Sequence, residues 1–411
     1  MSPETLAYPF LFLAIFFESF ILVTFLSKPA RVARMRHGGT ETPSVAVIVP
    51  CFNEGETVAR TCESLLALDY PKDKLEIILV DDGSTDNTRE AMAQFTENPQ
   101  VKIISKENGG KHTALNIGIA ATRAELVGCL DADSFVEPDA LKEIVLCFAN
   151  EKIAAVTAAM SVHQPKGLIQ HMQSAEYFFG ITMRHTLASV NGLYVTPGPF
   201  SFYRRSIVTE LGGFRHGYQT EDMEMALRIQ QAGYEIENTP HARVYTKAPN
   251  TISGLIKQRT RWTTGFIRNM TGEYRGLIGN RRYEALGMLV LPCALIAILS
   301  SILLFILMLF TFSRNIIAGF EIRSGIPLSY VLMPHGSFSW FYFPVSTYLF
   351  LGIATLLASL SLIVIGKHIS KTPRNLTLGL FSYTLLYGFI VPLWLIRATS
   401  DVLFGKRRGW R

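Results

Sequence analysis

Two kinds of hydrophobic pattern divide the chain. Four runs are apolar almost without interruption: Ala7–Leu26, Ala285–Phe312, Phe341–Gly366 and Leu378–Ile396. Each reaches the roughly 20 residues that cross a bilayer as a helix. Between about Thr42 and Met270 the pattern becomes that of a globular domain. Short apolar strings predict buried strands there: SVAVIVP (Ser44–Pro50), LEIILV (Leu75–Val80), VKIIS and ELVGCL (Glu125–Leu130). Between them GETVARTCESLLAL (Gly55–Leu68), a segment from about Asp86, and KHTALNIGIAATR carry helical spacing. Strand alternating with helix, with strands apolar throughout, predicts an α/β domain with a mostly parallel sheet covered by helices. Such sheets bind ligands at the carboxyl ends of their strands. The chain shows no internal repeat and no low-complexity segment. The pattern divides it into an N-terminal transmembrane helix (1–27), the α/β domain (28–270) and a C-terminal transmembrane region of about three spans (271–411).

Composition and charge orient these pieces. The 411 residues are 49% hydrophobic and the net charge is +6. The N-terminal MSPE lacks a positive charge and no small-x-small site follows the first run, so it reads as a membrane helix and not a signal peptide. Lys28, Arg31, Arg34 and Arg36 come directly after it. The positive-inside rule then places the N-terminus outside and the α/β domain in the cytoplasm of a multi-pass membrane protein. The other cations, Arg281 and Arg282 or Lys406, Arg407, Arg408 and Arg411, also flank spans, where they suit lipid headgroups. No basic stripe interleaved with aromatics points to nucleic acid. The five cysteines are scattered without a CxxC, which fits a reducing compartment and neither disulfides nor zinc. If all four runs cross, the GKRRGWR tail ends outside, against the same rule. Either the tail is exported or one run is re-entrant, and Pro292 and Pro392 make broken helices an option.

Polar clusters fall where the strand ends should be. They are Asn53 and Glu54 in PCFNEGE, Asp81, Asp82, Ser84 and Asp86 in VDDGSTDNT, and Asp131 and Asp133 in GCLDADS. Asp, Asn and Ser also cap helices, and for Ser84 and Asp86 capping is the better reading. Asp82 and Asp133 are different, because carboxylates converging on one sheet edge repel unless a ligand or cation compensates. Two carboxylates at i and i+2 suit Mg²⁺ or Mn²⁺ that also holds phosphates. NGGKHTALN opens a helix with Lys111 at its start, a phosphate site or a solvated turn. Glu221 and Asp222 stand at another helix start, with Thr220 as a candidate cap; they complement the helix dipole or supply a general base. In LIKQRTRWTTGF, Gln258, Arg261 and Trp262 share a helical face at i, i+3 and i+4. That face suits a phosphate and a sugar. A basic-aromatic membrane anchor accounts for Arg259 and for part of Trp262.

Taken in order, FNE, VDDGSTD, GGKHTALN, DADS, TED and QRTRW resemble the membrane-bound family 2 glycosyltransferases with a GT-A fold. Cellulose, chitin, hyaluronan and poly-N-acetylglucosamine synthases belong to that group. The resemblance covers roughly Ser44 to Gly265. It implies a GT-A, Rossmann-like domain with transmembrane helices and an inverting transfer from a UDP-sugar. It implies that Asp82, with Asn53 and Glu54, meets the uracil or ribose, and that Lys111 meets the diphosphate. Asp133 would hold Mg²⁺ or Mn²⁺, with Asp131 beside the nucleotide and metal. Asp222, next to Glu221, would be the catalytic base. Gln258 and Arg261 would complete the donor pocket, and Trp262 would stack on the acceptor sugar. PGPFSFYRRS (Pro197–Ser206) stands where the family has an acceptor-side loop.

The expected activity is thus hexosyl transfer onto a growing polysaccharide, processive and coupled to secretion. One rival adds a single sugar to a membrane lipid; the small number of spans favours it. Another is an inactive scaffold or transport subunit, against which Asp133, Asp222 and Trp262 argue. Sugar, linkage, acceptor and any accessory subunit or oligomer stay open.

Overall fold

The structure is a computed structural model and describes residues 3–27, 42–322, 325 and 347–405. The expectations about Lys28, Arg31, Arg34 and Arg36, about the start of the third run, and about the GKRRGWR tail lie outside these residues.

Helix α1 (Pro3–Ser27) leads in. The expected alternation follows as β1 (Val45–Cys51), α2 (Val58–Leu66), β2 (Leu75–Asp81), α3 (Thr88–Ala93), β3 (Val101–Ser105), α4 (Lys111–Ala120) and β4 (Leu126–Cys129). These strands pair in parallel, with β1 between β2 and β4 and β3 outside β2. Strand β1 is buried on both faces. Val45, Val47 and Val49 enter one apolar cluster, while Ala46 and Ile48 enter the other. This is the period-two alternation of a strand between two helical layers. Each such side chain contributes about 1.5–3 kcal/mol when fully buried. Helix α4 presses so close that a methyl at Gly118 would lie 2.5 Å from Ile48 Cγ2.

The second half adds β5 (Ser134–Val136), α5 (Ala140–Val145), β6 (Ile153–Val162), α6 (Gly167–Ala188), β7 (Ser201–Arg204), α7 (Arg205–Glu210), α8 (Glu221–Gln231), β8 (Glu235–Thr246) and α9 (Ile252–Thr271). The eight strands form one mixed sheet in the order β3-β2-β1-β4-β7-β6-β8-β5. Strand β7 runs antiparallel to both β4 and β6. Strand β8 is parallel to β6, and their register slips between Thr157↔Asn238 and Ala159↔Arg243. Pro240 falls in that slip, where no ladder donor is needed.

Four helical stretches among the described residues are long and apolar enough to cross a membrane: Thr5–Ser27, Leu286–Glu321, Thr347–Ile369 and Thr377–Leu403. The second is a π turn (Leu286–Val290) running into α10 (Leu291–Ile322). It outlasts the charge-free run, because Arg314 and Glu321 are carried on the same helix. Then come α11 (Thr347–Ile369) and α12 (Thr377–Ser382), whose π turn (Tyr383–Tyr387) leads into α13 (Gly388–Leu403). Pro292 and Pro392 each follow a π turn, which is where the regular helix is interrupted.

Helices α6 and α9 join the sheet to the spans. Helix α6 packs on β6, and its Phe178 carbonyl lies where a methyl at Gly366 of α11 would be 1.9 Å away. Thr182 Oγ1 donates to the Leu362 carbonyl at 2.7 Å. Helix α9 packs along α13 and starts with Thr251 accepting from the Gly254 N–H at 3.1 Å.

Candidate active site

The acidic turns converge at the carboxyl ends of β1, β2 and β4. Cys51 and Asp81 are paired at the ends of adjacent parallel strands. Asn53 takes a left-handed backbone, φ 57°. Its N–H donates to Ser84 Oγ at 3.0 Å, and its Oδ1 accepts from the Thr85 N–H at 2.9 Å. Glu54 N–H donates to Thr88 Oγ1 at 2.8 Å. The two turns are thus laced together before any ligand arrives. Asp86 accepts from the N–H of Thr88, the first residue of α3, but it is not the expected cap: that position is held by Asn87, which makes no side-chain capping bond.

Asp82 is buried, and it binds its neighbours fully. Its oxygens accept from the Gly109 and Gly110 N–H groups at 3.0 and 2.9 Å and from the Lys106 ammonium. So the amides at the mouth of α4, expected to be open to phosphate, are held by this carboxylate. Gly110 is needed there, with φ 88°. Lys111 does begin α4. Its ammonium lies 2.5 Å from Asp131 Oδ1 and 3.3 Å from Glu221 Oε1, and these carboxylates help hold its pKa well above the ordinary lysine value despite burial.

Thr220 is not the cap that the sequence suggested. It precedes α8 without a side-chain capping bond, and its hydroxyl donates to the Gly217 carbonyl. At the start of α8 Glu221 turns to Lys111. Asp222 accepts from the Met223 N–H at 2.8 Å and from the Gly198 N–H at 3.2 Å. Its own carbonyl accepts from Thr196 Oγ1 at 2.7 Å.

Gly198 was not singled out from the sequence. It lies in the Pro197–Ser206 loop, over Lys111, Asp131 and Asp222. A methyl there would sit 2.5 Å from Lys111 Nζ and 3.1 Å from Asp131 Oδ2. Two residues on, buried Phe200 has φ 63°, a strained value for a bulky side chain. The glycine between two prolines was the available signal.

Charge is distributed unevenly over four carboxylates. Lys111 compensates Asp131 and Glu221. Among the described residues Asp133 accepts hydrogen bonds from neutral groups, Ser134 Oγ at 3.1 Å and Thr246 Oγ1 at 3.5 Å, and the Lys111 charge offsets it only weakly. Burial, then the Asp131 and Glu54 charges, push its carboxyl up to about 6. Burial, then the Glu221 charge, push Asp222 up to about 6 as well. An under-compensated buried carboxylate fits a cation ligand. Among the described residues no three His, Cys, Asp or Glu groups form a closed metal cage. The donor set fits a hard ion bound through one or two carboxylates together with substrate phosphate oxygens.

Gln258, Arg261 and Trp262 lie on α9 as the spacing predicted. Gln258 Oε1 is buried without a hydrogen-bond partner among the described residues. Arg259, read from the sequence as a membrane anchor, is instead buried. Its Nη2 meets Glu176 Oε2 at 2.9 Å. Its guanidinium lies 4.2 Å over the Trp262 ring and 5.7 Å from that of Tyr177. It binds α9 to α6 and covers one face of the tryptophan. Tyr177 in turn lies within electrostatic range of Asp133, linking this helix pair to the acidic cluster.

Comparison with known proteins agrees with this geometry. Residues 43–265 match the model of the glycosyltransferase like family 2. A poly-beta-1,6-N-acetyl-D-glucosamine synthase of Staphylococcus epidermidis is 29% identical over 373 residues, 90% of this chain and 86% of that protein. One from Staphylococcus aureus strain COL is 32% identical over 249 residues; the aligned part spans only 59% of each chain. A solved mannosyltransferase from Pyrobaculum calidifontis, in complex with GDP-Man and Mn²⁺, superposes with a TM-score of 0.64 at 20% identity. It covers 98% of this chain and 99% of its own, and so shares the fold.

Proposed function

This chain belongs to the family 2 glycosyltransferases and is a glycosyltransferase of GT-A fold, and from that premise we propose that it transfers sugar from a UDP-sugar to a growing polysaccharide at the membrane. The observation that carries the proposal is the pair Asp133 and Asp222. These carboxyls are pushed upward by burial and by the Asp131, Glu54 and Glu221 charges, while Lys111 pairs with Asp131 and Glu221 and not with Asp133 or Asp222. Two acidic groups set apart by environment in one cleft are what a donor-holding and a proton-accepting role require.

The roles then follow. Asp133, with Asp131, holds Mg²⁺ or Mn²⁺, which supplies charge compensation for the diphosphate when bound. The Pyrobaculum mannosyltransferase binds Mn²⁺ with its nucleotide sugar, which supports a cation here. Asp82 fixes the Gly109–Gly110 turn that, with Asn53 and Glu54, borders the nucleoside. Lys111 stands ready to leave Asp131 for phosphate oxygens. Asp222 takes the proton of the acceptor hydroxyl, oriented by Gly198, and the hydroxyl attacks the anomeric carbon from the face opposite the diphosphate, with inversion. Gln258 and Arg261 border the diphosphate. Trp262 offers its uncovered face to the acceptor sugar. The polymer class follows the synthase relatives, which are named for a poly-N-acetylglucosamine product. The basic residues after α1 support a cytoplasmic catalytic layer.

Purified full chain with radiolabelled UDP-sugars tests this in two ways. With Mg²⁺ or Mn²⁺ it is expected to release UDP, and excess EDTA to abolish that release. Full turnover in EDTA would overturn the metal role. Trp262→Ala is expected to keep UDP binding and to shorten the product on sizing gels, because a stacked ring retains the acceptor while UDP is exchanged. A wild-type product of one sugar on a lipid would make this a single-transfer enzyme instead.

A further inference from the structure

Helix α6 carries a cation that no carboxylate of the described residues answers. Arg184 has Nε and Nη2 buried without hydrogen-bond partners among the described residues. Other arginines of low exposure have their charge met by protein groups, although Arg228 and Arg259 each keep a buried Nε without a hydrogen-bond partner among the described residues. Arg228 meets Glu224 and Arg259 meets Glu176. Arg204 donates to the carbonyls of Phe148, Asn150 and Ile153. Arg184 instead folds back along its own helix, where a methyl at Gly180 would lie 3.0 Å from Nη1. Two turns toward the helix start is Tyr177, whose hydroxyl is pushed up by burial and stays neutral. Burial lowers the Arg184 guanidinium to about 10, so it remains charged at neutral pH. A desolvated charge of this kind is costly until an anion meets it.

The surroundings indicate which anion. Thr182, two residues earlier, is bonded to the Leu362 carbonyl of α11. The next residue, His185, meets the Phe25 ring near the end of α1, with centroids 6.4 Å apart. Arg184 therefore lies where the sheet layer joins two spans, and Val23 and Leu26 of α1 expose apolar surface nearby in the chain. That is the level at which lipid headgroups meet a membrane protein. A planar fork of donors suits phosphate oxygens.

We propose that Arg184 binds the phosphate of a membrane lipid, held at the junction of α6 with α1 and α11 beside Tyr177. The proposal rests on the membrane reading above and not on the transfer chemistry. The same phosphate chemistry could come from free phosphate or from the donor, and the test separates these. Full chain, stripped of lipid in a nonionic detergent, is titrated with dodecyl phosphate, inorganic phosphate and, with Mg²⁺, UDP. Wild type is expected to bind dodecyl phosphate and not inorganic phosphate. Arg184→Met should bind it about tenfold or more weakly, with UDP affinity unchanged. That variant loses an uncompensated charge, so without lipid it is expected to melt no lower than wild type. Arg184→Lys, which keeps the charge but loses the fork, should bind at intermediate strength. Equal binding of dodecyl phosphate by wild type and both variants overturns the site. Equal binding of inorganic phosphate by wild type overturns the lipid as its source. Loss of UDP affinity in Arg184→Met assigns the guanidinium to the donor and overturns it too. UDP binding by wild type reports the donor reading separately.

Discussion

Asp222→Asn is expected to lower turnover by ~10²–10⁴-fold, the usual contribution of a general base, while UDP affinity stays near that of wild type. The substitution keeps the shape of the side chain, but its single amide oxygen can accept from only one of the Gly198 and Met223 N–H groups, which the two carboxylate oxygens serve separately. Size and shape are therefore retained, while basicity and one accepted hydrogen bond are lost. The wild-type pH profile adds a second check. Burial and the Glu221 charge raise this carboxyl to about 6, and a base works only when ionised. The rate is expected to fall as pH drops through about 6, and the residual activity of Asp222→Asn to lack that limb. The sign for stability is opposite. A carboxyl raised above its unfolded value favours the protonated fold, so its ionisation costs stability as pH rises. Asp222→Asn removes that cost, so its melting temperature should change less than that of wild type as pH rises through about 6. A variant keeping more than about a tenth of the wild-type rate, well short of the usual range, would reduce Asp222 to a structural group at the start of α8.

Arg259→Leu is expected to unfold the helix pair that carries Trp262. Arg259 and Glu176 are both largely buried and 2.9 Å apart. Removing one partner of such a pair costs roughly 3–5 kcal/mol, because the other charge stays buried without compensation. Glu176→Leu should cost a similar amount. The double substitution Glu176→Leu with Arg259→Leu should recover most of the loss, since it leaves no lone charge. Thermal or urea unfolding of the full chain in detergent measures all three. Single variants within about 1 kcal/mol of wild type would match an exposed ion pair and contradict this burial. Tryptophan fluorescence gives a further readout, because the guanidinium 4.2 Å over the Trp262 ring leaves with the substitution.

The sequence alone determined the first half of the sheet. Strands β1, β2 and β4 are apolar strings buried on both faces, β3 is a half-exposed edge strand, and the helices between them keep a plain 3.6-residue spacing; local pattern and final environment agree. The four helices long and apolar enough to cross a membrane were equally plain, since an unbroken apolar run of that length is legible whatever its packing. The acidic residues were legible because a polar cluster right after an apolar strand has few local explanations. The second half of the sheet was not legible. Strand β6 reads IAAVTAAMSV, and alanines serve helix as well as strand. Strand β8 carries Pro240 and several polar residues, tolerated only because its register with β6 slips there. The antiparallel entry of β7 between β4 and β6 is a long-range pairing with no local signature.

Tertiary structure also decided which charges are compensated. Lys111 and Asp131 are 20 residues apart, Lys111 and Glu221 farther still, and only the fold brings that ammonium to both. Burial, with the charges of these same neighbours, is what leaves Asp133 and Asp222 as the raised carboxyls. The same holds for Arg259. Its sequence neighbours suggested a membrane surface, but Glu176 arrives from 83 residues away and buries it. Spacing along one helix tells which side chains share a face. It does not tell what covers that face, because the strength of an ion pair or a carboxyl's basicity depends on how far water is excluded and on which opposite charge stands within a few ångströms.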